Sequence, residues 1–180
     1  MPVTQPFETR LAVSADQSGI ARLMDLSTRQ LQEPFLDRRQ IEASFELMGL
    51  DVQLVEDGTY YLAHDGRDLV GCGGWSRRAT LFGGSHSAGR DAALLDPARD
   101  AARIRAMYTH PAHARRGVGR LILRTCEAAA RAEGFRRVEL AATLAGEPLY
   151  RACGYHLIEK MHEETSSGIA IPALRMGRDL

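Results

Sequence analysis

Cysteine is scarce in this sequence of 180 residues: there are three, Cys72, Cys126 and Cys153, and no Cys-x-x-Cys pair. An odd number of widely separated cysteines gives no basis for a disulfide framework or for a cysteine zinc site. We therefore predict that all three are small buried hydrophobic side chains and that the protein works in the reducing cytoplasm.

Neither sign of charge is in excess, because 23 basic residues match 23 acidic ones. This balance disfavours a globally basic nucleic-acid binder, so no nucleic-acid partner is expected. No apolar run approaches the ~20 residues of a membrane helix, and we expect no membrane partner. The start of the chain, MPVTQPFETR, lacks the basic start and apolar core of a secretory signal. The length suits a single domain, residues 1–180.

The first half of the chain predicts a strand, two helices and a hairpin. The predicted ranges are a strand at 10–15, helices at 16–30 and 37–48, and hairpin strands at 59–64 and 69–77. Gly71, Gly73 and Gly74 in the returning strand indicate either a bulge or a close approach to the backbone. Residues 79–101 show no clear period, and we interpret them as a long excursion between strands, with a role that the sequence leaves open.

The second half predicts a strand, a helix and a further strand, at 103–109, 117–133 and 137–142. Such a unit implies a crossover connection between neighbouring parallel strands. A short helix at 147–153 and strands at 156–161 and 169–176 follow, and Pro172 favours an edge position or a bulge for the last one. We therefore expect a mixed α/β fold.

The junction between the 103–109 strand and the next helix reads HARRGVGRLIL, from His113 to Leu123. The first turn of a helix leaves backbone N–H groups unpaired, and no Ser, Thr, Asp or Asn occupies positions 114–120 to cap them. Gly117 and Gly119 allow an anion to reach these amides, and the neighbouring arginines supply positive charge. The stretch therefore predicts a phosphate or pyrophosphate site.

The same stretch allows other interpretations. A glycine turn with solvated arginines stays open when the loop is considered alone. No Gly-Lys-Ser/Thr occurs, and the third glycine of a dinucleotide fingerprint is replaced by Ile122, so two common phosphate-binding motifs are disfavoured. His110 and His113 have no accompanying carboxylate or cysteine cluster, and we predict no metal site.

Two longer segments resemble a known family. RIRAMYTHPAHARRGVGRLIL is similar to motif A of the GNAT superfamily of acetyl-CoA-dependent N-acetyltransferases, with strand, Tyr-x-x-Pro, Arg-Arg-Gly-x-Gly and amphipathic helix in order. TLAGEPLYRACGYHLIEK resembles the family's motif B, in which a tyrosine on a short helix precedes Gly-aromatic and a strand. The order of elements matches the family across nearly the whole chain.

The resemblance implies a GNAT-like fold, with a central, mixed, mostly antiparallel sheet that is splayed at its middle strands and helices on both faces. It implies that acetyl-CoA is the cosubstrate and that Tyr150 is the catalytic acid. The residues expected to bind the cofactor are Met107, Tyr108, Thr109, Arg115, Arg116, Gly117, Val118, Gly119 and Arg120. The first three would pair with the pantetheine arm and the others would hold the pyrophosphate.

The sequence departs from the family at two positions. Members usually carry Gln or Arg where this chain has Ala114, and many carry Asn where it has Thr143, so those side-chain contacts are not implied. The general base is not identified, and the candidates are Glu33, Glu46, His64 and Glu147. Trp75 and Arg105 are candidates for lining an acceptor pocket. Core packing is the simpler interpretation for Trp75, and a surface ion pair is the simpler one for Arg105.

The expected activity is acyl transfer from acetyl-CoA to a primary amine of a small molecule or a peptide, by direct attack in a ternary complex. A non-catalytic module that binds or senses acyl-CoA is the alternative. A homodimer is left open.

Overall fold

The computed structural model describes residues 7–180. Its strands are β1 Glu8–Leu11, β2 Tyr60–Asp65, β3 Asp68–Ser76, β4 Ala102–Thr109, β5 Arg137–Ala142, β6 His156–Glu164 and β7 Ala170–Asp179. Its α-helices are α1 Gln17–Leu31, α2 Arg38–Ser44, α3 Val52–Glu56, α4 Val118–Ala132 and α5 Glu147–Ala152. Within these residues, each helix is too short or too polar to cross a bilayer. The prediction about a secretory signal falls largely on residues 1–6, which lie outside the described residues.

One seven-stranded sheet runs through the molecule in the order β1-β2-β3-β4-β5-β7-β6. Every neighbouring pair is antiparallel except β4 and β5, so the predicted parallel crossover is confirmed. These two strands pair only at Ala102 opposite Val138 and at Arg103 opposite Glu139. They then separate, and the predicted mostly antiparallel sheet, splayed at its middle strands, is confirmed.

Helices cover both faces of the sheet, as predicted. Because successive side chains on a strand point to opposite faces, Tyr60 and Leu62 of β2 pack in one cluster with α1, while Ala63 packs in the other with α4. Helix α1 contributes a stripe at helical spacing, formed by Ile20, Leu23, Met24, Ser27 and Thr28. The core is therefore divided into two layers, one on each side of the sheet.

The glycines of β3 allow helix α4 to lie close to the sheet. A Cβ atom added at Gly71 would clash with Val118 and Ile122, and one added at Gly73 would clash with Met107 and Ile122. The close approach that the sequence indicated is therefore the packing of α4 on β3. This contact fixes the start of α4 beside the end of β4, where the phosphate loop lies.

The predicted strand at 10–15 is shorter than expected, because β1 ends at Leu11 and Ser14–Asp16 forms a 3₁₀ turn. The carboxylate of Asp16 accepts hydrogen bonds from the Val13 amide at 2.8 Å and from both terminal nitrogens of Arg10 at 2.7 Å. The bond from Arg10 lowers the pKa of Asp16 to about 2. These contacts hold the turn that leads into α1.

The second predicted helix, at 37–48, is also shorter. Asp37 caps α2 through its carboxylate, but the helix ends at Ser44, where the hydroxyl donates to the Ile41 carbonyl at 2.7 Å. Such a local side-chain bond competes with helical pairing and ends the regular ladder early. A third short helix, α3, follows Asp51 and was not predicted.

Pro172 was expected to place the last strand at an edge or in a bulge. The edge is wrong, because β7 lies between β5 and β6, and the register irregularity of the β6–β7 pair lies between Leu157 and Glu159, not at Pro172. Pairing with β5 extends only as far as Leu174, which lies opposite Ala142. Pro172 lies beyond this point and faces only His162 of β6. The missing N–H of proline therefore removes no hydrogen bond to β5.

Candidate functional site

Strand β4 has a free edge where the sheet opens. It meets β5 only at Ala102 and Arg103, so the backbone groups that follow on this side have no strand partner. Met107, Tyr108 and Thr109, which the sequence assigns to the pantetheine arm, all line the cleft beside this edge. An exposed strand edge can pair with the amide groups of an extended ligand, and this edge fits such a ligand.

A bulge interrupts β4 beside the cleft. Cys72 pairs with Tyr108 but Gly74 pairs with Arg105, so two residues of β4 oppose one of β3. Ala106, one of those two, has a left-handed φ of 50°, which is unfavourable for a residue with a side chain. The Tyr60 hydroxyl donates to the Ala106 carbonyl at 2.8 Å and holds Ala106 in this conformation. Such bulges change the direction of a strand next to functional sites.

The loop before α4 forms a concave row of backbone amides. Arg115 has a φ of 60° and Gly117 one of 94°, and no side chain caps the first turn of α4. A Cβ atom on Gly117 would meet nothing within 4 Å, so the space beside the loop is open. Uncapped amides at the positive end of a helix dipole, next to left-handed residues, form an anion-binding concavity.

The three arginines of the loop do not share one direction. Arg115 and Arg120 line the cleft, and both are exposed. The Arg116 guanidinium instead lies 3.6 Å from the Asp65 carboxylate and 5.4 Å from the centre of the Phe7 ring. Arg116 is therefore outside the cleft lining, and only its backbone amide is available to the loop.

A cleft of about 800 Å³ begins at this loop and passes between β4 and β5. Leu140 and Ala141 of β5, with Leu149 and Tyr150 of α5, form one side. The far wall comes from three separate segments: the end of α1 with the turn after it, residues 47–49, and residues 81–83. The volume is typical of small-molecule sites.

Tyr150 lines this cleft with 7% of its surface exposed. Its ring centre lies 5.7 Å from that of Tyr155, and no hydrogen bond from a group in residues 7–180 acts on its hydroxyl. The alternative of a tyrosine bound to a backbone carbonyl is therefore not observed. Burial raises the pKa of Tyr150 well above its usual value, so the hydroxyl keeps its proton at neutral pH and can donate it.

None of the four candidate bases lines the cleft: Glu33, Glu46, His64 and Glu147. Glu46 accepts from the Ser166 amide at 2.9 Å, and Glu147 pairs with Arg151 at 2.7 Å. In the part of the chain that the structure describes, the lining contains no aspartate, glutamate or histidine. The cleft therefore offers no side chain of the usual kind to remove a proton.

Of the two acceptor-pocket candidates, Arg105 lines the cleft and Trp75 does not. Trp75 is a core residue with 1% exposure, and its ring packs against Phe135. Arg105 is also buried, because it bonds Asp51 at 3.1 Å and the Thr80 carbonyl at 3.3 Å. It is part of a buried network, not a surface pair.

Asp51 connects this network to the long excursion. Its second carboxylate oxygen accepts from Arg90 at 2.8 Å, and Arg90 also donates to the Gly84 carbonyl at 3.1 Å. Apart from one bridge between Arg78 and Leu94, the excursion 79–101 has no regular strand or helix. The Arg90 bonds and those between Thr80 and Asp91 are among the contacts that hold it. They bring residues 81–83 to the cleft.

Sequence reasoning named Arg105 but missed its partners in the network and the far wall of the cleft. No local motif marks these residues, because their pairing depends on contacts between segments far apart in the chain. The single available signal was the irregularity of 79–101, which indicated a functional segment without saying what it contacts.

The histidines and cysteines occupy positions outside the cleft. His110 accepts from the Ala112 amide at 3.2 Å, and His113 lies 3.5 Å from Asp65. Cys72 and Cys126 are buried, as predicted, whereas Cys153 is only partly buried. Across residues 7–180, no group of three or more His, Cys, Asp or Glu side chains is placed to hold a metal ion.

Comparison with known proteins agrees with this geometry. The model of the acetyltransferase (GNAT) family matches residues 20–155. The chain therefore belongs to the GNAT acetyltransferase family, as its two motifs indicated. None of the curated proteins shows significant sequence similarity to it.

Solved structures share the fold at low sequence identity. A GCN5-related N-acetyltransferase from Rhodopseudomonas palustris is 18% identical, with a TM-score of 0.71 over 96% of this chain and 95% of that one. The PaiA N-acetyltransferase of Thermoplasma acidophilum, in complex with coenzyme A, is 13% identical, with a TM-score of 0.66 over 97% and 99%. The yncA protein of Salmonella typhimurium, with acetyl-CoA, is 16% identical, with a TM-score of 0.63 over 97% and 94%.

Proposed function

We propose that the protein is an N-acetyltransferase that moves the acetyl group of acetyl-CoA to a primary amine of a small molecule or a peptide. One observation carries the proposal: the uncapped amides of the loop, the free edge of β4 and the unpartnered Tyr150 hydroxyl meet in a single cleft. The two structural neighbours that contain coenzyme A or acetyl-CoA support the choice of cosubstrate.

The cleft has groups suited to each part of acetyl-CoA. The amides from Arg116 to Arg120 would hold the pyrophosphate, with Arg115 and Arg120 adding charge-assisted hydrogen bonds. The backbone of Met107 to Thr109 would pair with the amides of the pantetheine arm along the free edge of β4. Acetyl-CoA supplies an activated thioester when it is bound.

The reaction needs a neutral amine, stabilisation of negative charge on the acetyl oxygen, and a proton for the departing thiolate. Backbone amides near Met107, beside the bulge, are suited to polarise the acetyl carbonyl. Tyr150 keeps its proton at neutral pH and would donate it to the thiolate. Holding the two substrates together in a ternary complex would supply much of the remaining acceleration.

A non-catalytic module that binds acyl-CoA is the second candidate. The observation that favours it is the absence of aspartate, glutamate and histidine from the described lining of the cleft. Retention of a tyrosine with a free hydroxyl favours the enzyme, because binding alone does not need that group. We keep the cytoplasm as the proposed location, supported by the three free cysteines.

The test measures release of free thiol from acetyl-CoA with a panel of primary amines. The enzyme requires thiol release that depends on an amine and forms acetylated product in equal amount. Binding of coenzyme A without turnover of any amine would instead support the sensor.

A further inference from the structure

The far wall of the cleft would face the acceptor, and we call it the acceptor wall. It consists of the end of α1 with residues 34–35, residues 47–49 and residues 81–83. Its apolar side chains are Leu31, Phe35, Leu47, Met48, Leu81 and Phe82. Phe35 is 46% exposed, and it lies in the lining of the cleft beside the other apolar side chains of the wall. An apolar ligand that covers this wall removes apolar surface from water, and this burial stabilises the complex.

Charge in the cleft has one sign. Its charged side chains are Arg105, Arg115 and Arg120, and no carboxylate in residues 7–180 lines it. The charge of Arg105 is matched by Asp51, but the carboxylate of Asp51 is 2% exposed and is taken up by two arginines. A cationic acceptor would therefore lose its water without gaining a negative partner, which is costly.

Uncharged polar groups are available at the same wall. Ser27, Thr28 and Gln32 all line the cleft and are at most 5% exposed. The Thr28 hydroxyl is buried and has no hydrogen-bond partner within the described residues. A hydroxyl can bond to an uncharged polar group, but it cannot neutralise an ammonium ion.

We propose that the acceptor is an apolar amine that enters the cleft in its uncharged form, and that polyamines and other polycations are excluded. This inference rests on the proposed acetyltransferase function and names its substrate class. The carrying observation is the combination of an apolar wall, the buried Arg105 and no acid in the described lining of the cleft, since Arg115 and Arg120 belong to the phosphate loop. The uncharged form must come from solution, because no lining side chain of the usual kind can remove the ammonium proton.

This has a direct consequence for the pH dependence of the reaction. The titratable groups that line the cleft are the three arginines and the hydroxyls of Tyr108 and Tyr150. Burial raises the pKa of both tyrosines, so neither loses its proton near neutral pH. The rising limb of kcat/KM with pH should therefore follow the pKa of the acceptor amine itself.

Two apolar acceptors of similar size and different basicity test this point. An arylamine is already uncharged at neutral pH, so its kcat/KM should be flat between pH 6 and 9. An aralkylamine is mostly protonated in that range, so its kcat/KM should rise about tenfold per pH unit. A rising limb at the same pH for both amines would reveal a protein base and overturn the proposal.

A matched pair of variants tests the role of charge. Phe35→Glu and Phe35→Gln remove the same ring from a half-exposed position and differ only in charge. Phe35→Glu should raise the ratio of kcat/KM for a polyamine to that for the aralkylamine by about threefold or more over Phe35→Gln. Equal ratios in the two variants, or a wild-type protein that prefers the polyamine, would contradict the proposal.

Failure of this inference can be distinguished from failure of the acetyltransferase function. The same amines are added to the protein saturated with coenzyme A, and its melting temperature is recorded. Stabilisation by the apolar amines alone, without turnover, would support the pocket and refute the transferase. Absence of binding by every apolar amine would refute the inference, whatever the turnover of other acceptors.

Discussion

Replacement of Tyr150 by Phe removes one hydroxyl and keeps the ring. That ring packs beside Tyr155, the residue is 7% exposed, and no hydrogen bond within the described residues acts on the hydroxyl. The variant therefore leaves no donor or acceptor unpaired, and its unfolding free energy should change by less than about 0.5 kcal/mol. Loss of general-acid catalysis should lower kcat by 10²–10⁴-fold, or about 3–5 kcal/mol of barrier.

The neighbouring tyrosine is the matched control. The Tyr155 hydroxyl donates to Glu127 at 2.9 Å, and Tyr155 does not line the cleft. Tyr155→Phe should therefore lower the unfolding free energy by about 1–2 kcal/mol and leave kcat within a few-fold of wild type. The two variants carry the same chemical change: Tyr150→Phe should lower kcat and keep the stability, whereas Tyr155→Phe should lower the stability and keep kcat.

Three measurements on the pair separate these outcomes: urea unfolding, coenzyme A affinity, and kcat with an active acceptor. The loss for Tyr150→Phe should appear in kcat with the affinity for coenzyme A unchanged, since the proton is donated only in the transition state. A drop in kcat of less than about threefold would remove Tyr150 from the catalytic assignment, because general acids contribute far more.

Further predictions concern stability and cofactor binding. Asp51→Asn should destabilise the fold by about 3–5 kcal/mol in urea unfolding, because it leaves Arg105 buried without its counter-charge, whereas Asp25→Asn, in an exposed pair, should cost less than about 1 kcal/mol. Asp16→Asn should cost about 1 kcal/mol at pH 7; because the folded-state pKa of Asp16 is depressed to about 2, the difference from wild type should shrink as the pH falls from about 4 to 2. The affinity of the protein should fall in the order coenzyme A, dephospho-coenzyme A, pantetheine. Its affinity for coenzyme A should also fall with added salt, since Arg115 and Arg120 line the cleft. Equal affinity for pantetheine and coenzyme A would contradict the phosphate site.

The elements whose signals are local could be predicted from the sequence. The strand–loop–helix–strand unit around Gly117 was found because its signals occur within one short stretch: a strand-like segment, two glycines at a helix start without a capping side chain, and apolar residues at helical spacing. The same local reasoning failed where side chains intervene: the Ser44 bond to a carbonyl ends α2 early, and the contacts of Asp16 shorten the first strand. Pro172 was misjudged because the length of its neighbour β5 is a tertiary property.

The candidate site divides in the same way. The loop amides and Tyr150 were identified from motifs, but the direction of the Arg116 side chain depends on Asp65 and Phe7, which lie far away in sequence. The acceptor wall combines three separate segments, of which residues 81–83 are held through Arg105 and Asp51, and no single segment indicates it. Trp75 was a candidate for an acceptor pocket, but it packs in the core, which was the simpler interpretation.

The central claim is that the loop before α4 holds the phosphates of coenzyme A, and calorimetric binding to three variants tests it most directly. Gly119→Glu places an acid in the first turn of α4. Gly119→Ala adds a methyl group that presses only on the flexible end of Leu149 and makes an ordinary contact with Thr109. Ala128→Glu places the same acid on the exposed side of the helix. The first should weaken binding by about a hundredfold or more, and the other two by less than about fivefold. Folded Gly119→Glu protein that binds coenzyme A as tightly as wild type would contradict the account.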